Sequence, residues 1–156
     1  MSIRFKALAT VEVRALQAGQ PDAYGTPAER KQSHGHGVPC RHCLQNVAAG
    51  EPYLVLAYRP FPSLQPYAET GPIFLHAQEC VRAEDSQALP AVFEESRDYI
   101  VRGYDSGDCI IYGTGAVVPT AGIVEHAERL LSRRDVSYLH MRSARNNCYQ
   151  CRIERD

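Results

Sequence analysis

Residues 117–155 read VVPTAGIVEHAERLLSRRDVSYLHMRSARNNCYQCRIER, and two periodicities follow one another within them. From 123 to 133, Ile123, Val124, Ala127, Leu130 and Leu131 fall on one side of a helix and Glu125, Glu128, Arg129 and Arg133 on the other. Thr120 is placed to cap its start, and Arg133 and Arg134 suit the negative end of its dipole. Residues 136–141 and 148–153 then read as two strands of a hairpin around 143–147. With a strict period of two, Leu139, Met141, Tyr149, Cys151 and Ile153 point into the core. His140, Arg142, Cys148 and Arg152 then share the opposite face.

Working outward, residues 99–104 and 109–112 flank the turn sequence DSGD at 105–108, which predicts a second hairpin. Val117 and Val118 form a further extended piece, and a brief helix is expected near 90–95. YLVLAY (53–58) and IFLH (73–76) read as short apolar strands, closed by prolines or preceded by Gly71–Pro72. Residues 3–15 read as one strand whose alternation runs from Ile3, Phe5, Ala7 and Ala9 into a second register of Val11, Val13 and Ala15. Two segments, 18–39 and 59–72, are rich in Gly and Pro and read as loops, the first with a helical turn at 27–32. Strands outnumber helices, so the expected fold is α+β, a mainly antiparallel sheet with one principal helix near 123–133. No repeat or linker divides the chain, which predicts a single domain over 1–156.

Seventeen Arg plus Lys against eighteen Asp plus Glu give a net charge of -1. That balance, with no basic stripe interleaved with aromatics, argues against a nucleic-acid partner. All but Lys6 and Lys31 of the seventeen cations are arginine, which genomic base composition explains without invoking phosphate binding. Charges at Arg4, Lys6, Glu12 and Arg14 interrupt every apolar stretch near the amino terminus, and no apolar run is long enough for a membrane helix. The expected setting is the cytoplasm, where thiols stay reduced and six cysteines do not read as a disulfide framework.

Four of the six cysteines form two CxxC pairs. Cys40-Arg41-His42-Cys43 has the spacing that turns two sulfurs toward one tetrahedral ion. HAQEC supplies a second half through His76 and Cys80, and an i,i+4 helical turn would place both on one side. The candidate metal ligands are therefore Cys40, Cys43, His76 and Cys80, with zinc as the cofactor. The front pair and the apolar strand after it resemble the knuckle-plus-hairpin of LIM and poly(ADP-ribose) polymerase zinc fingers over about fifteen residues. A redox pair, or plain packing, would use the same CxxC.

At the rear pair, Cys151 falls on the core face, and Cys109 also reads as a packing residue. The opposite face gathers His140, Arg142 and Cys148 as candidate catalytic residues: a histidine to activate a thiol and an arginine to attract an anion. A solvated strand face is the simpler reading of the same pattern. His34-Gly35-His36 reads as polar loop surface. Gly113-Thr114-Gly115 lacks the third glycine and the following helix of a dinucleotide fingerprint.

CRHCLQNVAAGE, YRPF, PYAETGPIFLHAQEC, RGYD and HMRSARNNCYQCRIER together resemble an uncharacterised family of small bacterial proteins (domain of unknown function, family 1203). The resemblance runs from about Cys40 to Arg155, and GPIFLHAQEC is its most specific part. It implies family positions at Cys40, Cys43, His76, Cys80, His140, Arg142, Cys148 and Tyr149, and a glycine where this chain has Asn147. It implies no activity. Three functions remain open at this point: a protein with a structural zinc and a separate surface for a small molecule or protein partner, a thiol enzyme using Cys148, and a metal-free interaction module.

Overall fold

The computed structural model describes residues 1–156. It has eight strands, two α-helices and two short 3-10 turns, an α+β fold dominated by antiparallel sheet. The chain forms two compact units, the first built from Met1–Lys6, Ser63–Ala68 and Glu84–Asp156, the second from Ala7–Pro62 and Glu69–Ala83.

The first unit is an antiparallel sheet of β1 (Ile3–Lys6), β5 (Asp98–Tyr104), β6 (Ala116–Pro119), β7 (Tyr138–Ser143) and β8 (Tyr149–Arg155), ordered β1-β8-β7-β5-β6. Phe5, Val101, Leu139, Met141, Cys151 and Ile153 form a buried apolar face. Helix α2 (Ile123–Leu131) covers it with Ile123, Ala127, Leu130 and Leu131, the stripe expected from the sequence. Its first turn is the 3-10 segment Thr120–Gly122, and Thr120 does not cap it: the Thr120 hydroxyl donates to the Ser96 carbonyl.

The rear hairpin forms, with one change of register. A bulge between Met141 and Arg142 pairs Met141 with Cys151 but Arg142 with Tyr149. The extra residue is Gln150, and it turns Tyr149 onto the His140 face, where the two rings meet edge to face at 5.0 Å. That face is also not a solvated one. His140 and Arg142 are buried, and Tyr104, Tyr138 and Tyr149 surround the imidazole.

The expected strand at 109–112 is absent. DSGD does turn the chain, with Asp105 Oδ1 accepting from the N–H groups of Gly107 and Cys109. Only the bridge between Tyr104 and Ile110 follows, and β5 takes β6 as its neighbour instead. Thr114 explains the Gly-Thr-Gly sequence. Its buried hydroxyl accepts from Gly103 N–H at 2.9 Å and donates to the Ile111 carbonyl at 2.5 Å.

The second unit holds the three-stranded sheet β2-β3-β4, where β2 is Glu29–Gln32, β3 is Pro52–Tyr58 and β4 is Gly71–His76. Strand β2 lies inside the segment read as a loop. All four of its side chains are exposed, so no apolar alternation marks it, and it joins β3 through backbone bonds alone. Helix α1 (Thr10–Gln17) replaces the second half of the strand expected over 3–15. Val13 is buried while Val11 is 86% exposed, so the alternation of valines is not a strand face. The good helix formers Glu12, Arg14, Ala15, Leu16 and Gln17 prevail.

A candidate metal centre

The front CxxC is a knuckle closed by its own backbone. Cys40 N–H donates to the Gln45 carbonyl at 3.0 Å, Leu44 N–H to the Cys40 carbonyl at 2.9 Å, and Val47 N–H to the Val38 carbonyl at 3.0 Å. Leu44 takes a left-handed φ of 53°, the reversal that lets so short a loop close. A parallel bridge from Cys40 to Phe74 lays the knuckle along the outer edge of β4. Arg41 fastens it there, its N–H donating to the Phe74 carbonyl at 3.1 Å and its guanidinium lying over the Phe74 ring.

The second half of the set comes from the end of β4 and the segment after it. His76 is the last residue of the strand, and Cys80 follows in irregular chain after a bend, not on the helical turn that the spacing suggested. Helix α1 supplies what a helical turn would have supplied. Gln17 donates to the carbonyls of His76 and Gln78 at 2.9 and 2.8 Å, and Arg14 to the Cys80 carbonyl at 2.7 Å.

The ligand atoms of Cys40, Cys43, His76 and Cys80 all lie within 4.8 Å of one another. The Cys40 and Cys80 sulfurs are 3.9 Å apart, and Cys43 Sγ lies 3.4 Å from His76 Nδ1. A tetrahedral site with ~2.3 Å metal–sulfur and ~2.05 Å metal–nitrogen bonds separates two sulfurs by about 3.8 Å and a sulfur from a nitrogen by about 3.5 Å. The donor set therefore has ligand-like geometry for a metal- or thiol-based site. His76 turns Nδ1 inward and Nε2 toward the Glu51 carboxylate, 3.7 Å away and beyond direct hydrogen-bond length.

One further histidine belongs to the group. His42, between the two knuckle cysteines, is fully buried, with Nδ1 at 3.1 Å from Cys80 Sγ and Nε2 at 2.9 Å from Thr10 Oγ1. With Thr10 donating to Nε2, the tautomer protonated at Nδ1 points its N–H at the Cys80 sulfur. Burial pushes the His42 pKa down, helped by the cationic Arg14 and Arg82, which favours this neutral form.

The sulfurs share their charge unequally. A hydrogen bond from the Cys43 thiol, joined by backbone N–H groups of Cys43, His76 and His42, overcomes burial and holds Cys40 down to about 4. The same bond and burial raise Cys43, while burial and the Cys40 charge push Cys80 up to about 11. Donors therefore converge most strongly on the Cys40 sulfur, and a bound cation would displace the thiol protons of the cluster.

The rear residues do not assemble in the same way. His140 sits among three tyrosine rings, and burial together with Arg142, Arg152 and Arg102 holds its pKa well below the usual histidine range. Arg142 donates to the Asn147 carbonyl at 3.2 Å. Cys148 lies in the turn with its thiol 3.7 Å from the Asn146 carbonyl. Cys151 is buried in the core, Cys109 sits half-exposed against the Gly107 carbonyl, and His34 and His36 are exposed. His42 and Glu51 are the residues that the sequence reading passed over. The only available signal was a histidine inside the CxxC and an acid just ahead of β3.

The family described as Protein of unknown function (DUF1203) matches residues 37–155, and the chain belongs to it. The matched segment contains all four clustered donors, along with His42, His140, Arg142 and Cys148. No curated protein and no solved structure matches the chain.

Proposed function

We propose that this family member is a small protein built around a structural zinc ion held by Cys40, Cys43, His76 and Cys80, with a separate surface for a small ligand or partner. The observation that supports this reading is the closure of four soft or borderline donors from two distant segments to within 4.8 Å of one another, with Cys40–Cys80 and Cys43–His76 at tetrahedral distances. Three sulfurs and one imidazole form a closed set, the kind that holds zinc for structure and leaves no position for substrate. The Thr10–His42–Cys80 relay supplies an outer partner that orients a ligand. A dithiol redox pair needs one exposed attacking thiol. Here Cys40 is fully buried and Cys43 is only half-exposed. The protein works in a reducing compartment, in keeping with its six free thiols.

The test is elemental analysis of untagged protein beside cobalt substitution. One zinc per chain is expected, together with a tetrahedral cobalt spectrum whose thiolate charge-transfer intensity drops by about a third in Cys80→Ser. Metal-free protein that refuses both ions, or a cobalt spectrum unchanged by Cys80→Ser, overturns the reading.

A further inference from the structure

Within the second unit, helix α1 and the turn after it stand across a cleft from the end of β3 and the segment Arg59-Pro60-Phe61-Pro62. The cleft has a volume of about 620 Å³, inside the range of small-molecule sites. Leu16, Leu56 and Phe61 give it apolar walls, and Phe61 and Leu56 are buried in doing so. Asp22 belongs to the wall and is not free for a ligand: its carboxylate accepts from the N–H groups of Tyr24, Thr26 and Ala57 and from the Thr26 hydroxyl.

Two charged groups are left over. Glu12 meets only the Tyr58 hydroxyl, at a long 3.4 Å, and forms no ion pair. Arg59 spends Nε on the Phe61 carbonyl at 3.3 Å and likewise pairs with no carboxylate. Glu12, Tyr58, Arg59 and Phe61 also border a smaller, shallow recess of about 230 Å³, so opposite charges flank one recess without pairing with each other. Partial burial lifts the Glu12 pKa despite the Tyr58 bond, the signature of a carboxylate short of partners.

We infer that this cleft binds a small zwitterion with an apolar body, of the class of an α-amino acid with an apolar side chain, its carboxylate on Arg59, its ammonium on Glu12 and Tyr58, and its side chain against Leu16, Leu56 and Phe61. Arginine suits the carboxylate because its planar fork can hold both oxygens. The apolar walls reject a ligand that is charged throughout, and a ligand with one charge leaves either Glu12 or Arg59 desolvated and unpaired.

The experiment is an NMR titration of the zinc-loaded protein with L-phenylalanine, 3-phenylpropionate (no ammonium) and phenethylamine (no carboxylate). L-phenylalanine is expected to shift the amides of Leu16, Ala57, Tyr58 and Phe61 and to bind about tenfold more tightly than either truncated probe. Arg59→Gln should cost L-phenylalanine about tenfold without weakening phenethylamine, and Glu12→Gln should cost L-phenylalanine about tenfold without weakening 3-phenylpropionate. Equal binding of all three probes, shifts confined to other surfaces, or indifference of L-phenylalanine to both substitutions overturns the proposal. The folded state of each variant is checked by the same amide spectrum. Its metal content is measured separately, so a failure here is distinct from a failure of the zinc reading.

Discussion

Stripping the zinc-loaded protein with a strong chelator is expected to lower its melting temperature by roughly 8–16 °C. A ligand bound only by the folded state stabilises it by about 4.1 kcal/mol at a free concentration a thousand times its dissociation constant. For a chain of this size each kcal/mol moves the midpoint by about 2–4 °C. The figure is a floor, since structural zinc sites reach apparent binding energies of about 10–16 kcal/mol. The effect should be concentrated where the donors are structural. The knuckle has no regular strand or helix of its own: Cys40, His42, Leu44 and Val47 are buried in it but ride on a loop. Calorimetry with and without chelator gives the shift, and hydrogen exchange locates it. The amides of Cys40, Leu44, Val47 and His76 should lose protection on chelation, while those of β7 and β8 lose least. Because the chain passes repeatedly between its two units, we further expect one cooperative transition, as for a single domain. A chelated protein that melts within about 1 °C of the loaded one, at saturating initial zinc, refutes the reasoning.

Thiol labelling gives a second check. In the loaded protein, iodoacetamide should modify Cys109 and Cys148 only; after chelation Cys40, Cys43 and Cys80 should join them, with Cys151 still protected in the core. Mass spectrometry of the peptides decides it, and early modification of Cys40 in loaded protein would count against coordination. The buried His140 makes stability depend on pH. Its folded pKa is depressed, so the unfolded chain takes up a proton first as pH falls below about 6.5, and stability is lost from there down toward the folded value. His140→Phe should flatten the fall by up to about 1.4 kcal/mol per pH unit between pH 6.5 and 5, and equal slopes in denaturant titrations would refute the assignment. Leu131→Ala, on the buried stripe of α2, should cost about 2–5 kcal/mol, read as an earlier urea midpoint. A loss under about 1 kcal/mol would mean that the helix does not seal the sheet.

The clustered donors were legible because ligand chemistry leaves its mark in short spacings. Cys40 and Cys43 sit in a knuckle with two residues between them, and His76 and Cys80 sit on one continuous segment. The means of bringing them together was not legible. The i,i+4 argument brought the clustered residues together through the wrong geometry, since the loop after β4 is held by Gln17 and Arg14 from 59 to 66 residues away in sequence. The helix carrying those two residues was itself hidden, because Val11, Val13 and Ala15 imitate a strand. Strand β2 was hidden for the opposite reason, having no buried side chain to report it. At the rear hairpin, period-two reasoning held for Leu139, Met141, Cys151 and Ile153 and failed at Tyr149, where a single bulged residue exchanges the faces. Burial of both sheet faces is likewise absent from alternation, which distinguishes the two sides of a strand but not what covers them.

Helix α1 has only eight residues, too few to be stable in isolation. Its order must come from tertiary anchors, and the anchors can be named: Val13 in the core, and Arg14 and Gln17 on the carbonyls of His76, Gln78 and Cys80. The same two turns present Glu12 and Leu16 to the cleft. A metal that fixes His76 and Cys80 would therefore fix the acceptors on which α1 rests, and with them one wall of the ligand site. Losing the metal would loosen that wall without touching any cleft residue. Linkage makes this reciprocal: if zinc tightens binding of the zwitterion by some factor, the zwitterion tightens binding of zinc by the same factor. Gln17→Ala separates that coupling from direct contact. Gln17 is neither a metal donor nor a cleft residue, so this substitution should weaken the mutual enhancement while leaving the donor set and the charged pair of the cleft in place.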